Sequence, residues 1–271
     1  LYASQNFSRF ICMEDPTINN RGGKFWNSFV SFNPTHPEIV RLNEMVAKTV
    51  LPRLKDYEAF DHIILANEPV FVSYVSDQFY LPMYRAHLKE KYGDIENLNR
   101  CWGTSYEDFS ETEMPQKVDG TPQFTDWRIF NDQIMYDYHS YLADYAREAA
   151  PGIPISSKLM QPFIRYGNGR VEGGSSNLAP LTQMMDVNGL DAWAYYNTSD
   201  RDIISKMAYY DLRTSFLNAP VYNFEDHIIQ DGTVVDYNDN ELKFNLTDLW
   251  QGAIHGRGGS IIWVWDRGSR N

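Results

Sequence analysis

The stretch His62-Ile63-Ile64-Leu65-Ala66-Asn67-Glu68 has the composition of a buried strand that ends in two polar residues. A second apolar stretch, Ala219-Pro220-Val221-Tyr222-Asn223-Phe224, is followed in the same way by Glu225. In barrels of alternating parallel strands and helices, the carboxyl ends of the strands carry the chemistry, so a glutamate at such an end indicates a catalytic group. Either glutamate alone would be explained as a solvated strand end. The pair predicts a site with two carboxyl groups, which is what cleavage of a glycosidic bond requires.

Strands and helices are predicted to alternate along most of the chain. The predicted strands are 61–67, 154–160, 190–196, 219–224 and 259–265, and helical periodicity marks 37–54, 78–92, 95–102, 126–150, 203–217 and 240–255. This alternation predicts an α/β fold with a parallel sheet and crossover helices, here a TIM (β/α)8 barrel. Trp102, Trp127 and Trp250 lie on the helical patterns and are predicted core residues.

The barrel is predicted to be incomplete in residues 1–271, which form one partial catalytic domain. Residues 1–60 precede the first clear strand, and they are too few for three further strand-helix units of roughly 30 residues each. We therefore expect strands 4–8 to be present, with the first strands and the last helix missing.

The composition excludes several classes of partner. The 271 residues carry a formal net charge of −12, which argues against nucleic acid and anionic membrane surfaces, because both require a basic surface. Aromatic residues make up 15% of the chain, and their rings suit the C–H faces of a neutral carbohydrate substrate as well as a protein core. The cysteines and histidines lack the spacing of a zinc site, so neither a metal nor another cofactor is predicted. The compartment, cytoplasmic or secreted, is left open.

Several short motifs resemble family 42 of the glycoside hydrolases, whose members are β-galactosidases with catalytic glutamates on barrel strands 4 and 7. The matching segments, spread over about residues 61–267, are Leu65 to Glu68, Tyr84 to Gly93, Leu98 to Thr104, Asp126 to Phe130, Asp191 to Tyr196, Gln251 to Gly256 and Ile262 to Trp265. The resemblance implies a retaining, exo-acting β-glycosidase for terminal β-galactosides. It also implies a homo-oligomer, by analogy a trimer.

Three positions depart from the family pattern, and they keep other functions open. Pro69 follows Asn67-Glu68, Lys158 stands where an asparagine is expected on strand 5, and Asp266 follows Trp265. One alternative is another glycosidase of the same clan, acting on β-mannosides, β-glucosides or a polysaccharide. A second alternative is an inactive barrel that binds carbohydrate.

The resemblance implies a role for each glutamate. Glu68 is the expected general acid/base and Glu225 the expected nucleophile, the two groups of a double-displacement mechanism. Glu225 has to be ionised in order to attack, so we expect hydrogen-bond donors around it.

Four further residues are predicted to bind substrate or support the site. Asn67, beside the acid, is expected to bind the sugar 2-hydroxyl, and Trp265 is expected to form the floor of the subsite for the terminal sugar. Tyr195 or Tyr196 is expected to offer a phenol to Glu225, and the sequence does not decide which. His227 lies near the site, but a histidine at such a position is more often an ordinary packed residue.

Overall fold

The structure is a computed structural model of the chain, and it describes residues 16–18, 30, 32–69, 71, 73, 77–116, 119–160, 177–195, 203–227 and 239–263. The elements in chain order are α1 (Pro37–Leu54), β1 (Ile63–Asn67), α2 (Tyr80–Tyr92), α3 (Ile95–Trp102), α4 (Pro122–Ala149), β2 (Ile155–Met160), α5 (Leu178–Gln183), β3 (Asn188–Trp193), α6 (Ile203–Phe216), β4 (Val221–His227), α7 (Asp239–Ile254) and β5 (Arg257–Ile262). Two short 3-10 helices cover Pro16–Ile18 and Phe109–Glu111.

The five strands form one parallel sheet in the order β1-β2-β3-β4-β5. Each strand lies next to its neighbour in sequence, and at least one helix lies between every consecutive pair. Parallel neighbours joined by crossover helices place all five carboxyl ends on the same edge of the sheet. The predicted order and direction of the strands are confirmed.

Local sequence explains where several helices begin and end. The side chain of His36 accepts a hydrogen bond from the Glu38 backbone N–H at 3.2 Å and Pro37 follows it, which starts α1. Asp94 caps α3 in the same way, since its carboxylate accepts from the Asn97 backbone N–H at 2.8 Å. The helix ends at Gly103, whose φ of 71° is left-handed and is accessible to glycine at little cost.

The long helix α4 supplies much of the core behind β1. Phe130, Ile134, Tyr138 and Leu142, each four residues apart, are all buried, and the helix packs against α1 and β1. Each side chain of this size contributes about 1.5–3 kcal/mol when it is fully buried. Trp127 of the same helix is buried as predicted.

A histidine fixes α4 to the outer face of β2. His139 is fully buried, its Nδ1 lies 2.8 Å from the Met135 carbonyl oxygen, and its Nε2 lies 3.0 Å from the Ser157 hydroxyl. The carbonyl oxygen can only accept, so Nδ1 carries the proton and Nε2 is left as an acceptor that faces the Ser157 hydroxyl, which also lies 3.3 Å from the Ala66 carbonyl oxygen. Burial lowers the pKa of His139 to about 4, so the ring is neutral near pH 7. Ser157, which precedes Lys158 on β2, is therefore contacted by α4 from the helical side.

A buried ionic cluster joins α6, β4, α7 and β5 on the helical side of the sheet. Lys206 Nζ lies 2.5 Å from Asp226 Oδ1 and 2.8 Å from Asp248 Oδ2. Arg257 Nη1 lies 2.9 Å from Asp226 Oδ2. The two cations and two anions balance, which is the condition under which buried charges are tolerated. We call these four residues the ionic cluster.

Some predicted bounds are shifted by a few residues, since the long helix begins at Pro122 rather than Asp126 and β3 at Asn188 rather than Leu190. Three further differences concern elements and burial. The strand β4 continues to His227 and includes Glu225, which was predicted to follow the strand, because the backbone N–H of Trp263 still pairs with the carbonyl oxygen of Asp226 at 3.1 Å. The short helix α5 was not predicted. Trp250 is 72% exposed and was wrongly predicted as core, because it lies on a face of α7 that the other described residues do not cover. Among the described residues, none of the helices combines the length and apolar character needed to span a membrane.

Candidate active site

Both glutamates follow an irregularity in the strand ladder. Between β1 and β2, Ile64 pairs with Ser156 and Asn67 with Lys158, so β1 contains one extra residue just before Asn67. Between β3 and β4, Leu190 pairs with Asn223 and Asp191 with Glu225, so Phe224 is extra in β4. Such bulges redirect the side chains that follow them and are frequent next to active sites.

The bulge in β4 decides which side chains face the site. Strict alternation from Tyr222 would place Phe224 and Asp226 on one face and Glu225 on the other. With the extra residue, Glu225 and His227 face the inner side of the sheet, while Asp226 joins the ionic cluster on the helical side. The bulge therefore turns the side chain of Glu225 toward the candidate site.

Glu68 has an unusual backbone conformation. Its φ is 43°, and it is the single non-glycine residue with positive φ within the part of the chain that the structure describes. This conformation costs on the order of 1–3 kcal/mol for a residue with a side chain, and such strain concentrates at functional sites. Its backbone N–H donates to the Lys158 carbonyl oxygen at 2.9 Å, which extends the ladder by one bond and holds the strained residue in place.

Lys158 joins three carboxyl groups from three different strands. Its Nζ lies 3.1 Å from Glu68 Oε1 and 3.3 Å from Asp191 Oδ2, and it donates to Glu225 Oε2. Lys158 is completely buried, Asp191 is nearly so, and the side chains of Glu68 and Glu225 are 14% and 15% exposed. Burial alone would lower the pKa of Lys158, but the carboxylates of Asp191, Glu225 and Glu68 outweigh burial and raise that pKa. The ammonium therefore remains protonated, with one partner for each of its three N–H donors.

The second oxygen of Glu225 has its own donor. His227 Nε2 lies 3.0 Å from Glu225 Oε1, and His227 Nδ1 lies 3.1 Å from the Tyr195 hydroxyl. Burial raises the pKa of Glu225, but the hydrogen bonds from His227 and Lys158 outweigh it and hold this pKa below its usual value. The carboxylate of Glu225 is therefore ionised at neutral pH, as a nucleophile has to be.

The pKa of Asp191 is shifted in the opposite direction to that of Glu225. Burial raises the pKa of Asp191 to about 8, against the attraction of Lys158, and the carboxyl groups of Glu225 and Glu68 raise it further. Asp191 therefore keeps its proton to higher pH than Glu225 does, and its protonated form can donate a hydrogen bond, for which Glu68 is the neighbouring acceptor. Asp191 and Glu225 thus differ in how readily they ionise, although both contact Lys158.

The outcome for the predicted site residues is mixed. Glu68 and Glu225 are brought together at the carboxyl edge of the sheet, and Asn67 ends β1 beside Glu68 in a half-buried position. Tyr195 is buried and its phenol contacts His227, while His227 and Lys158 contact Glu225. A phenol from Tyr195 or Tyr196 beside Glu225 stays a prediction. Tyr196 and Trp265 lie outside the described residues.

Three site residues were missed as such. Lys158 was noticed only as a departure from a family pattern, Asp191 only as part of a motif, and His227 was given little weight. A signal for Lys158 does exist, because it is the one charged residue in the otherwise uncharged stretch Ile155 to Met160, which reads as a buried strand. A lysine at such a position requires carboxylate partners.

The site also contains three potential metal ligands. One ligand atom from each of Asp191, Glu225 and His227 lies within 4.8 Å of the other two. Lys158, however, already contacts both carboxyl groups of this set. These carboxyl groups therefore already have a cationic partner, which favours an internal ion pair over metal binding.

Comparison with known proteins agrees with this geometry. The described residues form a parallel α/β sheet, and solved structures of similar fold include the apo exo-carrageenase of Bacteroides ovatus, with a TM-score of 0.79 and 23% identity over 98% of this chain and 39% of that chain. The cold-adapted β-galactosidase of Rahnella sp. R3 gives a TM-score of 0.76 and 18% identity over 98% of this chain and 40% of that chain. The chain is therefore part of a TIM (β/α)8 barrel, with paired carboxyl groups at the carboxyl ends of its strands.

The sequence profile of the glycoside hydrolase family 42, described as beta-galactosidase, matches residues 24–227. The chain belongs to this family. Among individual relatives, the beta-galactosidase bgaB of Geobacillus kaustophilus is 27% identical over 142 residues, which is 48% of this chain and 21% of that protein. A beta-galactosidase of Arthrobacter sp. is 33% identical over 85 residues, which is 28% of this chain and 12% of that protein. The chain thus spans well under half the length of these relatives and solved structures.

Proposed function

We propose that the protein is a retaining, exo-acting β-glycosidase that hydrolyses terminal β-galactosides with Glu68 and Glu225. The observation that carries this proposal is the shared lysine, because Glu68 and Glu225 both accept from Lys158 Nζ. Two oxygens that accept from one nitrogen at about 3 Å each lie at most about 6 Å apart. Retaining enzymes separate their two carboxyl groups by about 5–5.5 Å, whereas inverting enzymes need about 6.5–9.5 Å to admit a water molecule.

The two glutamates divide the reaction between them. In the first step the Glu225 carboxylate attacks the anomeric carbon, the glycosidic bond breaks, and Glu68 gives its proton to the leaving oxygen. In the second step Glu68 takes a proton from water, the water oxygen attacks the anomeric carbon, and the ester to Glu225 breaks. The ionised state of Glu225 supports the first step, and no step requires a metal or another cofactor.

The substrate class rests on family membership. The family profile is described as beta-galactosidase, and the named relatives are beta-galactosidases. The exo-carrageenase of B. ovatus shares the fold and the family, so carrageenan oligosaccharides form a second class to be assayed. Exo action, carbohydrate as the partner and the trimer implied by the resemblance remain predictions.

The test is hydrolysis of 4-nitrophenyl β-D-galactoside by the wild type and by Glu225→Gln. We expect kcat to fall on the order of 10³-fold or more in the variant, because the nucleophile is lost. Glu58→Gln is the matched control, since Glu58 lies exposed in the loop before β1, and it should leave kcat unchanged. Proton NMR of early product gives the stereochemistry: β-galactose released first indicates retention. Full activity in Glu225→Gln, or α-galactose as the first product, would overturn the proposal.

A further inference from the structure

Lys158 is the feature of the site that the two-glutamate mechanism does not use. It lies on β2, between the strand that presents Glu68 and the strand that carries Asp191. Its side chain is completely buried, and its Nζ contacts carboxyl oxygens of Glu68, Asp191 and Glu225. A buried ammonium with three internal partners is not available to bind an anionic substituent of a substrate. Its function has to be sought in the groups it contacts.

The charges of the three carboxyl groups show which anion the Lys158 ammonium compensates before the reaction. Burial raises the pKa of Asp191 to about 8, so this carboxyl group favours its neutral form near pH 7. A general acid has to carry a proton, so Glu68 is neutral when substrate binds. Glu225 is then the remaining anion among the three carboxyl groups, and Lys158 forms a neutral pair with it. Without Lys158, the sole cation available to Glu225 among the described residues in contact with it is a protonated His227.

The same ammonium balances the glycosyl-enzyme intermediate. Once Glu225 has formed an ester it has lost its charge, and Glu68 has become an anion by giving up its proton. The negative charge has therefore moved from one glutamate to the other. Lys158 Nζ already lies 3.1 Å from Glu68 Oε1 while it contacts Glu225, so the counter-charge is in place in both states without movement of the lysine. A preorganised charge of this kind costs no rearrangement at the moment of reaction.

We propose that Lys158 is a positioning residue that acts as the shared counter-ion of Glu225 and Glu68 through both steps of the reaction. The inference rests on the proposed function, because the migration of charge belongs to the double displacement. The buried position of Lys158, its simultaneous contact with both glutamates and its location between them carry the argument. It explains why a lysine stands on this strand, where the resemblance predicted an asparagine.

The test compares the pH dependence of kcat/KM in wild type and in Lys158→Met. The acid limb reports ionisation of the nucleophile in the free enzyme. An opposite charge beside a carboxylate lowers its pKa by about 1–3 units, so we expect the acid limb of Lys158→Met to move up by about that amount. Lys158→Arg restores the charge and should restore the limb. Lys158→Gln, which keeps a donor without the charge, should resemble Lys158→Met and replaces it if that variant does not fold.

Lys206→Met is the matched control, because Lys206 is equally buried and ion-paired but contacts Asp226 and Asp248 in the ionic cluster. It should lower stability without moving the acid limb. An acid limb that stays in place in folded Lys158→Met, or that moves equally in Lys206→Met, would overturn the inference.

A second measurement separates this inference from the proposed function. The carboxyl ¹³C signals of labelled glutamates can be titrated by NMR without turnover, and Glu225→Gln identifies the signal of Glu225. We expect this signal to titrate at higher pH in Lys158→Met than in wild type. If the shift occurs but the wild type hydrolyses no glycoside, the counter-ion role of Lys158 toward Glu225 stands and the proposed function fails. If the wild type is active and the signal does not move, the inference fails and the proposed function stands.

Discussion

Among substitutions in the scaffold, Lys206→Met is the one whose effect on the free energy of unfolding follows most directly from the structure. The side chain is fully buried and holds Asp226 and Asp248 at 2.5 and 2.8 Å. Methionine fills a similar volume but removes the charge, so two buried carboxylates share Arg257 and one negative charge is uncompensated. Removal of one partner from a buried ion pair costs about 3–5 kcal/mol. We expect a loss of this size in the free energy of unfolding.

The assay is urea denaturation followed by circular dichroism, with Lys48→Met as the control. Lys48 also forms an ion pair, with Glu44 at 2.9 Å, but both side chains are at least 40% exposed. Exposed pairs contribute little because water and salt screen them, so Lys48→Met should leave the denaturation midpoint nearly unchanged. The contrast between the two lysines isolates the effect of burial.

The double variant Lys206→Met/Asp248→Leu tests the cause of the loss. It removes one charge of each sign and leaves Asp226 paired with Arg257 at 2.9 Å. If uncompensated charge causes the loss, the double variant is more stable than Lys206→Met alone. A double variant that is less stable than the single one by the full additive amount would refute the reasoning, as would a cost for Lys206→Met no larger than that of Lys48→Met.

Two further predictions concern packing and pH. Gly252→Ala should destabilise the protein, because a Cβ at Gly252 would lie 2.6 Å from Cζ of Arg257 and would displace that guanidinium from the ionic cluster. The denaturation midpoint of this variant should therefore fall. Gly120→Ala is the control and should not lower the midpoint, because Gly120 has open space around it. The pKa of His139 in the folded protein is about 4, below its ordinary value of 6.5. The unfolded state therefore binds more protons between these values, and stability is lost as the pH falls from about 6.5 to about 4. At 1.36 kcal/mol per pKa unit this loss is at most about 3 kcal/mol. Unfolding measured against pH should show it in wild type and not in His139→Leu, and equal acid sensitivity of both proteins would contradict the assignment.

The sequence predicts the scaffold well because the scaffold is encoded locally. The helix α1 was predicted with its observed bounds, since its apolar positions recur at helical spacing and Pro37 marks its start. The sheet order also followed from the alternation of strands and helices. The two glutamates were recognised because each ends or closely follows an apolar run, which a single sequence displays directly.

The rest of the site depends on register, which a single sequence does not display. Lys158, Asp191 and Glu225 meet because three strands that lie far apart in the chain are aligned at particular residues. His227 faces the same side as Glu225 with one residue between them, but its distance from Tyr195 and Glu225 emerges only when β3 and β4 are paired. Predictions of which side chains share a face of a strand assume strict alternation, and the bulge at Phe224 departs from it.

The extra residue in β4 also links activity to folding. It allows the consecutive residues Glu225 and Asp226 to serve opposite sides of the sheet, one in the pocket and one in the ionic cluster. If Phe224 instead took a regular place in the ladder, these assignments would be exchanged, with the reactive carboxylate turned toward the helices and the scaffold carboxylate toward the sugar. The local pairing of this one residue therefore constrains the reactive group and the scaffold together.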